Sequence, residues 1–274
     1  MSEVWPPRIG IAPYFEDETC VIYNGDCRVV LPQLDAGTVD HVFTDPPYSS
    51  HVHANTKTNA GTCGDSGGKE LELGFDSLSE DMMAFVASEI RRLLRRWSLV
   101  FCDVESAHLW RAALCAVEGD TRPLEYIRTG IWLKGNPMPQ ITGDRPGSGY
   151  ESLVIAHATD GGKVQQKRWN GGGRVGVWRA DVPKRRRGRV HPSEKPFDLL
   201  TNLLLDFTNP SDVVLDMFAG SGSLARAAHE VLALRGDAPR VILVESDEQW
   251  CAQAASRRGA PVPVTSKGQG SLQW

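Results

Sequence analysis

Asp212 to Glu230 reads DVVLDMFAGSGSLARAAHE. A β-branched run, Val213–Leu215, ends on Asp216, a small-residue turn (Phe218-Ala219-Gly220-Ser221-Gly222) follows, and a helical pattern then runs to Gly236. Strand, glycine turn and helix in that order make one unit of an open parallel sheet. Glycines in the turn let a ligand approach the backbone, and the helix start presents unpaired N–H groups. The next apolar run, VILVE, ends on Glu245, 25 residues beyond Gly220, where an acid can accept from ribose hydroxyls. This pattern alone fits a dinucleotide site or merely a tight turn. The third glycine of the dinucleotide fingerprint is missing, since Leu224 and Ala225 follow Ser223.

Working outward, short apolar runs at Cys20–Tyr23, Val42–Thr44, Leu99–Cys102, Ile131–Leu133, Leu153–Ala156 and Val241–Val244 predict further strands. Helical patterns lie between many of them. SEDMMAFVASEIRRLLRRW has Ser79 as N-cap, acids in the first turn and arginines in the last. ESAHLWRAALCAVEG stops at Gly119, and KPFDLLTNLLLDFTNP puts Pro196 at a helix start. The expected fold is α/β: a Rossmann-like, doubly wound, mostly parallel sheet with helices on both faces.

Composition sets limits. A net charge of −4 points to no nucleic acid globally, so any basic surface must be local. The six cysteines form no C-x-x-C pair and read as reduced thiols of a cytoplasmic protein. The polar start MSEVWPPRIG is unlike a signal peptide, and no apolar run approaches membrane-spanning length. His51, His53 and Cys63 match no standard metal spacing, so no metal is expected.

Two stretches break the alternation. Residues 49–74 form a long Gly/Ser/Thr/Asn-rich loop, a length that is usually functional or disordered. Residues 160–190 hold Lys163, Lys167, Arg168, Arg174, Arg179, Lys184, Arg185, Arg186, Arg187 and Arg189 against Asp160 and Asp181, a local charge of +8. Trp169 and Trp178 sit among them. Such a run is a solvated loop or a nucleic-acid contact.

The run HVFT ends in Asp45-Pro46-Pro47-Tyr48. The prolines fix φ and donate no N–H, so this strand end offers carbonyls on a rigid frame. Asp45 adds an acceptor and Tyr48 a flat face, which suits a planar base bearing an exocyclic NH₂; a plain Pro-Pro loop is the alternative. In a doubly wound sheet both strand ends can meet in one cleft.

In this order the chain resembles the DNA amino-methyltransferases, S-adenosylmethionine-dependent enzymes acting on adenine N6 or cytosine N4. Asp-Pro-Pro-Tyr first, a basic segment between and Phe-x-Gly-x-Gly last is the order of that family's β group. NGDCRVVLPQL, GIWLKGNPMP, YESLVIAHA and HPSEKP resemble its Gly-Asp, Trp-x-Lys-x-Asn, Glu-containing and His-Pro-x-x-Lys-Pro elements. The resemblance implies a class I methyltransferase fold with a small basic target-recognition insertion. Residues 1–159 and 191–274 would form the catalytic domain and 160–190 the DNA-recognition segment. The implied cofactor set is Asp26, Asp45, Lys195, Asp216, Phe218, Gly220, Gly222, Ser223 and Glu245; Asp45, Pro46, Pro47 and Tyr48 would hold the base.

The expected reaction is methylation of N6 of an adenine flipped out of double-stranded DNA and stacked on Tyr48. Asp at the first position favours adenine, because the cytosine-N4 enzymes often carry Ser there. Competing expectations are cytosine-N4 methylation, RNA or protein N-methylation, and a non-catalytic DNA-binding subunit. Double-stranded DNA is the expected partner, and the sequence leaves a homodimer and a cognate restriction endonuclease open. Arg174 and Arg179, flanked by Gly and Trp, are the candidates for base or groove contacts.

Overall fold

The computed structural model describes residues 5–47, 79–115, 122–141, 143–160, 163–164, 167, 169–183 and 194–258. Its strands are β1 (Phe15–Glu16), β2 (Cys20–Asn24), β3 (Val39–Thr44), β4 (Leu94–Cys102), β5 (Glu125–Lys134), β6 (Tyr150–His157), β7 (Thr159–Asp160), β8 (Lys163–Val164), β9 (Val177–Ala180), β10 (Val213–Asp216) and β11 (Arg240–Glu245). The helices are α1 (Cys27–Val30), α2 (Glu80–Leu93), α3 (Ala107–Cys115), α4 (Phe197–Phe207), α5 (Ser223–Arg235) and α6 (Glu248–Ser256).

Nine strands form one sheet in the order β1-β2-β11-β10-β3-β4-β6-β5-β9. The neighbours β2/β11, β11/β10, β10/β3, β3/β4 and β5/β9 are parallel; β1 and β6 run against their neighbours. Alternation along each strand divides the core. Cys20 and Ile22 of β2 face α4, α5 and α6, while Val21 and Tyr23 join the layer under α1, α2 and α3. This mixed, mostly parallel sheet between two helical layers is the doubly wound α/β architecture expected from the sequence.

Ser79 caps α2 by accepting from the Met82 amide at 3.2 Å, and Gly236 closes α5 at φ 78°. The arginine-rich end of the first long helix departs from expectation. The helix stops at Leu93, and Leu94-Arg95-Arg96-Trp97 opens β4 instead. Register explains this: Val39 pairs Leu94 and His41 pairs Trp97, so both large side chains are buried and the two arginines only partly.

The basic segment also differs from a free insertion. Val177–Ala180 is the sheet's edge strand, paired in parallel with β5. Trp178 is buried with its indole N–H donating to Asp206 Oδ2 at 2.9 Å, and Trp169 packs edge-on against Phe207 at 4.9 Å. Trp178 is therefore a core residue, and Trp169 packs half-buried against the same core; large apolar area inside a charged stretch drew the chain back to the sheet.

Candidate active site

Strands β10 and β3 are neighbours, but their following connections diverge: β10 leads through α5 to β11 on one side, β3 to β4 on the other. Their carboxyl ends thus flank the topological switch point, where open α/β sheets bind ligands. Asp216 ends β10 and Asp45 follows β3, and the Thr44 hydroxyl donates to Asp216 Oδ1 at 3.2 Å.

The turn after Asp216 is shaped by glycine. Gly220 has φ 50° and Gly222 φ 77°, both in the left-handed region. A Cβ on Gly222 would lie 2.6 Å from that of Ala254, so the turn passes directly against α6. Glu245 ties the turn to the next strand: Oε2 accepts from Gly220 N–H and Oε1 from Asp247 N–H, both at 2.8 Å. A carboxylate has further lone pairs for ribose hydroxyls. Asp26 lies beside Glu245, because Gly25 N–H donates to the Glu245 carbonyl at 2.9 Å. Asp26 caps α1 and grips the Arg28 guanidinium, and both interactions hold its carboxyl below the usual range. Phe218 is half-buried and Ser223 buried at the start of α5.

Asp216 is raised to about 7 by desolvation, with the charges of Asp45 and Glu245 adding to it; the Phe218 amide and Thr44 hydroxyl oppose them. Carboxylates of Asp45, Asp216 and Glu245 around one turn suit a cationic ligand and oppose a pyrophosphate. S-adenosylmethionine carries a sulfonium and an ammonium, so the residues fit it.

The other wall belongs to Asp45. Its Oδ2 lies 2.5 Å from Lys195 Nζ, which also reaches Glu151 Oε2 at 3.3 Å over the Phe101 ring. Glu151 Oε1 is in turn 3.0 Å from Lys134 Nζ. Asp45 Oδ1 is buried and has no hydrogen-bond partner among the described residues. Desolvation raises Asp45 to about 6, Lys195 opposing and Glu151 reinforcing. Pro46 is buried and Pro47 half-buried beside it.

Sequence reasoning placed Lys195 with the cofactor; in the structure it reaches Asp45 and Glu151. Glu151 and Lys134 were not singled out. A charged residue heading the otherwise apolar strand β6 was the available signal. The Trp-x-Lys-x-Asn element explains itself on β5. Trp132 donates to the Ala180 carbonyl at 3.0 Å, Lys134 pairs with Glu151, and Asn136 makes two bonds to the Val182 backbone, at 2.6 and 3.1 Å. The chain is thereby clamped at the cleft end just before the run of basic residues.

The basic island is split. Arg179 is exposed at the carboxyl end of β9. Lys167 pairs with Glu125 at 2.5 Å, at the start of β5, and Arg174 bonds Asp206 at the far end of α4. The ten residues of β5 put Glu125 roughly 30 Å from the strand's cleft end. Asp206 lies nearer, since it also holds Trp178, opposite Trp132 of β5. Lys167 is thus tied to the amino end of β5, and Arg174 is tied to α4 with its side chain 61% exposed. Tyr48, Arg168, Lys184, Arg185, Arg186, Arg187 and Arg189 lie outside the described residues, as do His51, His53 and Cys63, and the Lys163 side chain is likewise not described.

The sequence pattern of the N6/N4 methyltransferase family, described as DNA methylase, matches residues 39–256. The type II methyltransferase M2.MboI of Moraxella bovis is 25% identical over 230 residues, covering 78% of this chain and 81% of that protein. The structure of the cytosine-N4-specific PvuII DNA methyltransferase matches at TM-score 0.67 and 13% identity, covering 91% of this chain and 90% of that one. The M1.HpyAVI–SAM complex matches at TM-score 0.57 and 19% identity, covering 87% and 99%. No helix among the described residues is long and apolar enough to cross a membrane. With a family match over most of its length and a cleft suited to a sulfonium cofactor, the chain belongs to the N6/N4 DNA methylase family and is an S-adenosylmethionine-dependent DNA methyltransferase.

Proposed function

We propose that the enzyme methylates the exocyclic N6 of an adenine flipped out of duplex DNA. The observation that carries this reading is Asp45, a carboxylate with Oδ2 held by Lys195 and Oδ1 buried beside a rigid Pro-Pro frame. An aromatic amine is a poor nucleophile because its lone pair is delocalised into the ring. Oδ1 accepts one N–H and the Pro46 carbonyl the other, which localises the lone pair on nitrogen. Bound S-adenosylmethionine supplies an electrophilic methyl group. Asp45 Oδ1 then takes the proton that the amine sheds, while Lys195 stays an ammonium and keeps the carboxylate in place. With a pKa of about 6, Asp45 is ionised at neutral pH and basic enough to serve. Asp26, Phe218, Gly220, Gly222, Ser223 and Glu245 hold the cofactor in this reading, and Asp216 faces its cationic part. Tyr48 stacks on the flipped base. Arg179 and the basic residues 184–189 contact phosphates.

The carboxylate at position 45 also supports adenine over cytosine, whose N4 enzymes often carry Ser there. The test is nucleoside mass spectrometry of DNA methylated in vitro, with Asp45→Asn beside the wild type. N6-methyladenine is expected, with a loss in the variant of about 10³-fold or more and cofactor affinity retained. N4-methylcytosine as the product would overturn the base assignment, and an active Asp45→Asn variant would overturn the role of the carboxylate.

A further inference from the structure

The carboxyl ends of neighbouring strands carry an alternating row of charges. Asp45 follows β3, Lys195 precedes α4, Glu151 sits at the start of the reversed strand β6, and Lys134 ends β5. Successive contacts measure 2.5, 3.3 and 3.0 Å. Lys195 and the two acids beside it are largely withdrawn from solvent, their side chains 8%, 20% and 16% exposed.

We propose that Glu151 is a positioning residue for methyl transfer: it draws Lys195 to Oδ2 of Asp45 and so keeps Oδ1 for the amine. The inference rests on Asp45 serving the amine and holds for either base. A lysine ammonium is a compact charge with rotatable donors on a flexible stem. With an anchor removed, it can bridge both carboxylate oxygens and take up the acceptor the substrate needs. Glu151 supplies an anchor besides Asp45, 3.3 Å from Nζ, and the Phe101 ring lies 5.3 Å from Nζ. Lys134 balances Glu151, so the row is neutral and Glu151 does not capture Lys195 outright.

This arrangement also couples Glu151 to the basicity of Asp45. The charges acting on Asp45 are those of Lys195 before α4 and Glu151 on β6, while Asp216 on β10 and Cys102 at the end of β4 feel the charge of Asp45 in turn. Cys102 is held neutral by burial, so Lys195 and the acids set the balance. Lys195 favours the ionised form of Asp45 and Glu151 opposes it.

The test is the pH profile of single-turnover methylation in the full-length enzyme, for Glu151→Gln and Lys195→Met. Glu151→Gln retains the shape and loses the charge. Its acid limb is expected to move down by about half to one pH unit, with a rate loss of about tenfold or more at the plateau. Lys195→Met is expected to move the limb up by about one unit. Glu151→Asp should recover part of the rate, and cofactor affinity should stay within a few-fold in all three. A purely structural Glu151 would lower thermal stability without moving the limb. An unmoved limb in Glu151→Gln, or movement of both variants in one direction, overturns the inference. Should Lys195→Met fail to fold, Lys195→Arg, which retains the cation, must leave the limb within a few tenths of a unit; a larger shift counts against the proposal. Activity in Asp45→Asn would instead strike the reading beneath it, so the two failures are distinguishable.

Discussion

Asp212 and Asp216 stand at opposite ends of the four-residue strand β10 and have opposite electrostatic fates. At the amino end, burial alone would raise Asp212. The His41 ring at 2.9 Å, the Asn209 amide at 2.7 Å and Arg96 at 2.7 Å overcome it, and its pKa falls. At the carboxyl end Asp216 has an amide and a hydroxyl for partners, faces two other acids, and rises to about 7. One end of the strand is compensated and ties β10 to β3 and β4. The other leaves negative charge concentrated at the place proposed for the cationic cofactor. The difference separates the part of this sheet built for stability from the part whose stability was given up for binding.

The largest effect expected from breaking that comparison is in folding. Asp212→Ala should cost about 3–5 kcal/mol, because Arg96 and His41 lose a buried partner. Asp216→Asn should cost nothing or stabilise, while weakening S-adenosylmethionine binding. The pH signs are opposite. Asp212, with a lowered pKa, contributes stability above its unfolded value near 3.8 and loses it as pH falls further. Asp216, with a raised pKa, favours the fold below about 3.8 and withdraws that contribution as pH rises through about 7. Denaturant titrations at pH 5 and pH 8 should therefore show a smaller loss at the higher pH for Asp216→Asn than for wild type. Equal losses would mean that the cofactor end is compensated after all.

Gly222→Ala sharpens the same contrast. The added Cβ would meet Ala254 Cβ at 2.6 Å and its Cα at 2.9 Å, at a φ of 77°. A cost of about 1–3 kcal/mol in stability is expected. Displacement of the turn should also lower cofactor affinity, read by calorimetry. Gly236→Ala has open space around it and a similar φ of 78°, so it should carry the backbone strain without the clash or the binding defect. Similar binding losses in both variants would remove the turn from the cofactor site.

The smallest effects are in DNA binding, where the two ends of the sheet should again differ. Arg179→Met at the cleft end should lower the log–log salt slope of duplex binding by about 0.9, the value of one phosphate contact. Lys167→Met, engaged by Glu125 at the amino end of β5, should leave the slope unchanged, and so should Arg174→Met, engaged by Asp206. A reduced slope for Arg174→Met would put duplex DNA against the edge formed by α4 and β9.

Much of the fold was legible in the chain because its signals are local. Apolar runs of strand length, Ser79 as a cap, Gly236 as a stop and the glycine turn after Asp216 act over a few residues, and all reappear in β2, α2, α5 and β10. The boundary at Leu94 was illegible, since LLRRW suits a helix until pairing with β3 demands its period of two. Strand β9 was hidden for a related reason. Its four residues look like part of a charged loop, and only the pairing with β5 and the pocket for Trp178 beside Asp206 reveal them as sheet.

The cleft divides in the same way. The chain by itself determined which chemistry is present: an acid before a rigid Pro-Pro frame, a glycine turn and a following acid, residue types whose properties do not depend on neighbours far away. Tertiary structure alone decided which charges meet. Lys195 stands 150 residues from Asp45, and Arg174 stands 32 from Asp206, yet one pair lies in the cleft and the other ties the chain before β9 to α4. A charge in sequence has no partner until the sheet order brings one within a few ångströms. Coulomb attraction and desolvation then decide whether it binds substrate, tunes an acid or merely holds the fold together.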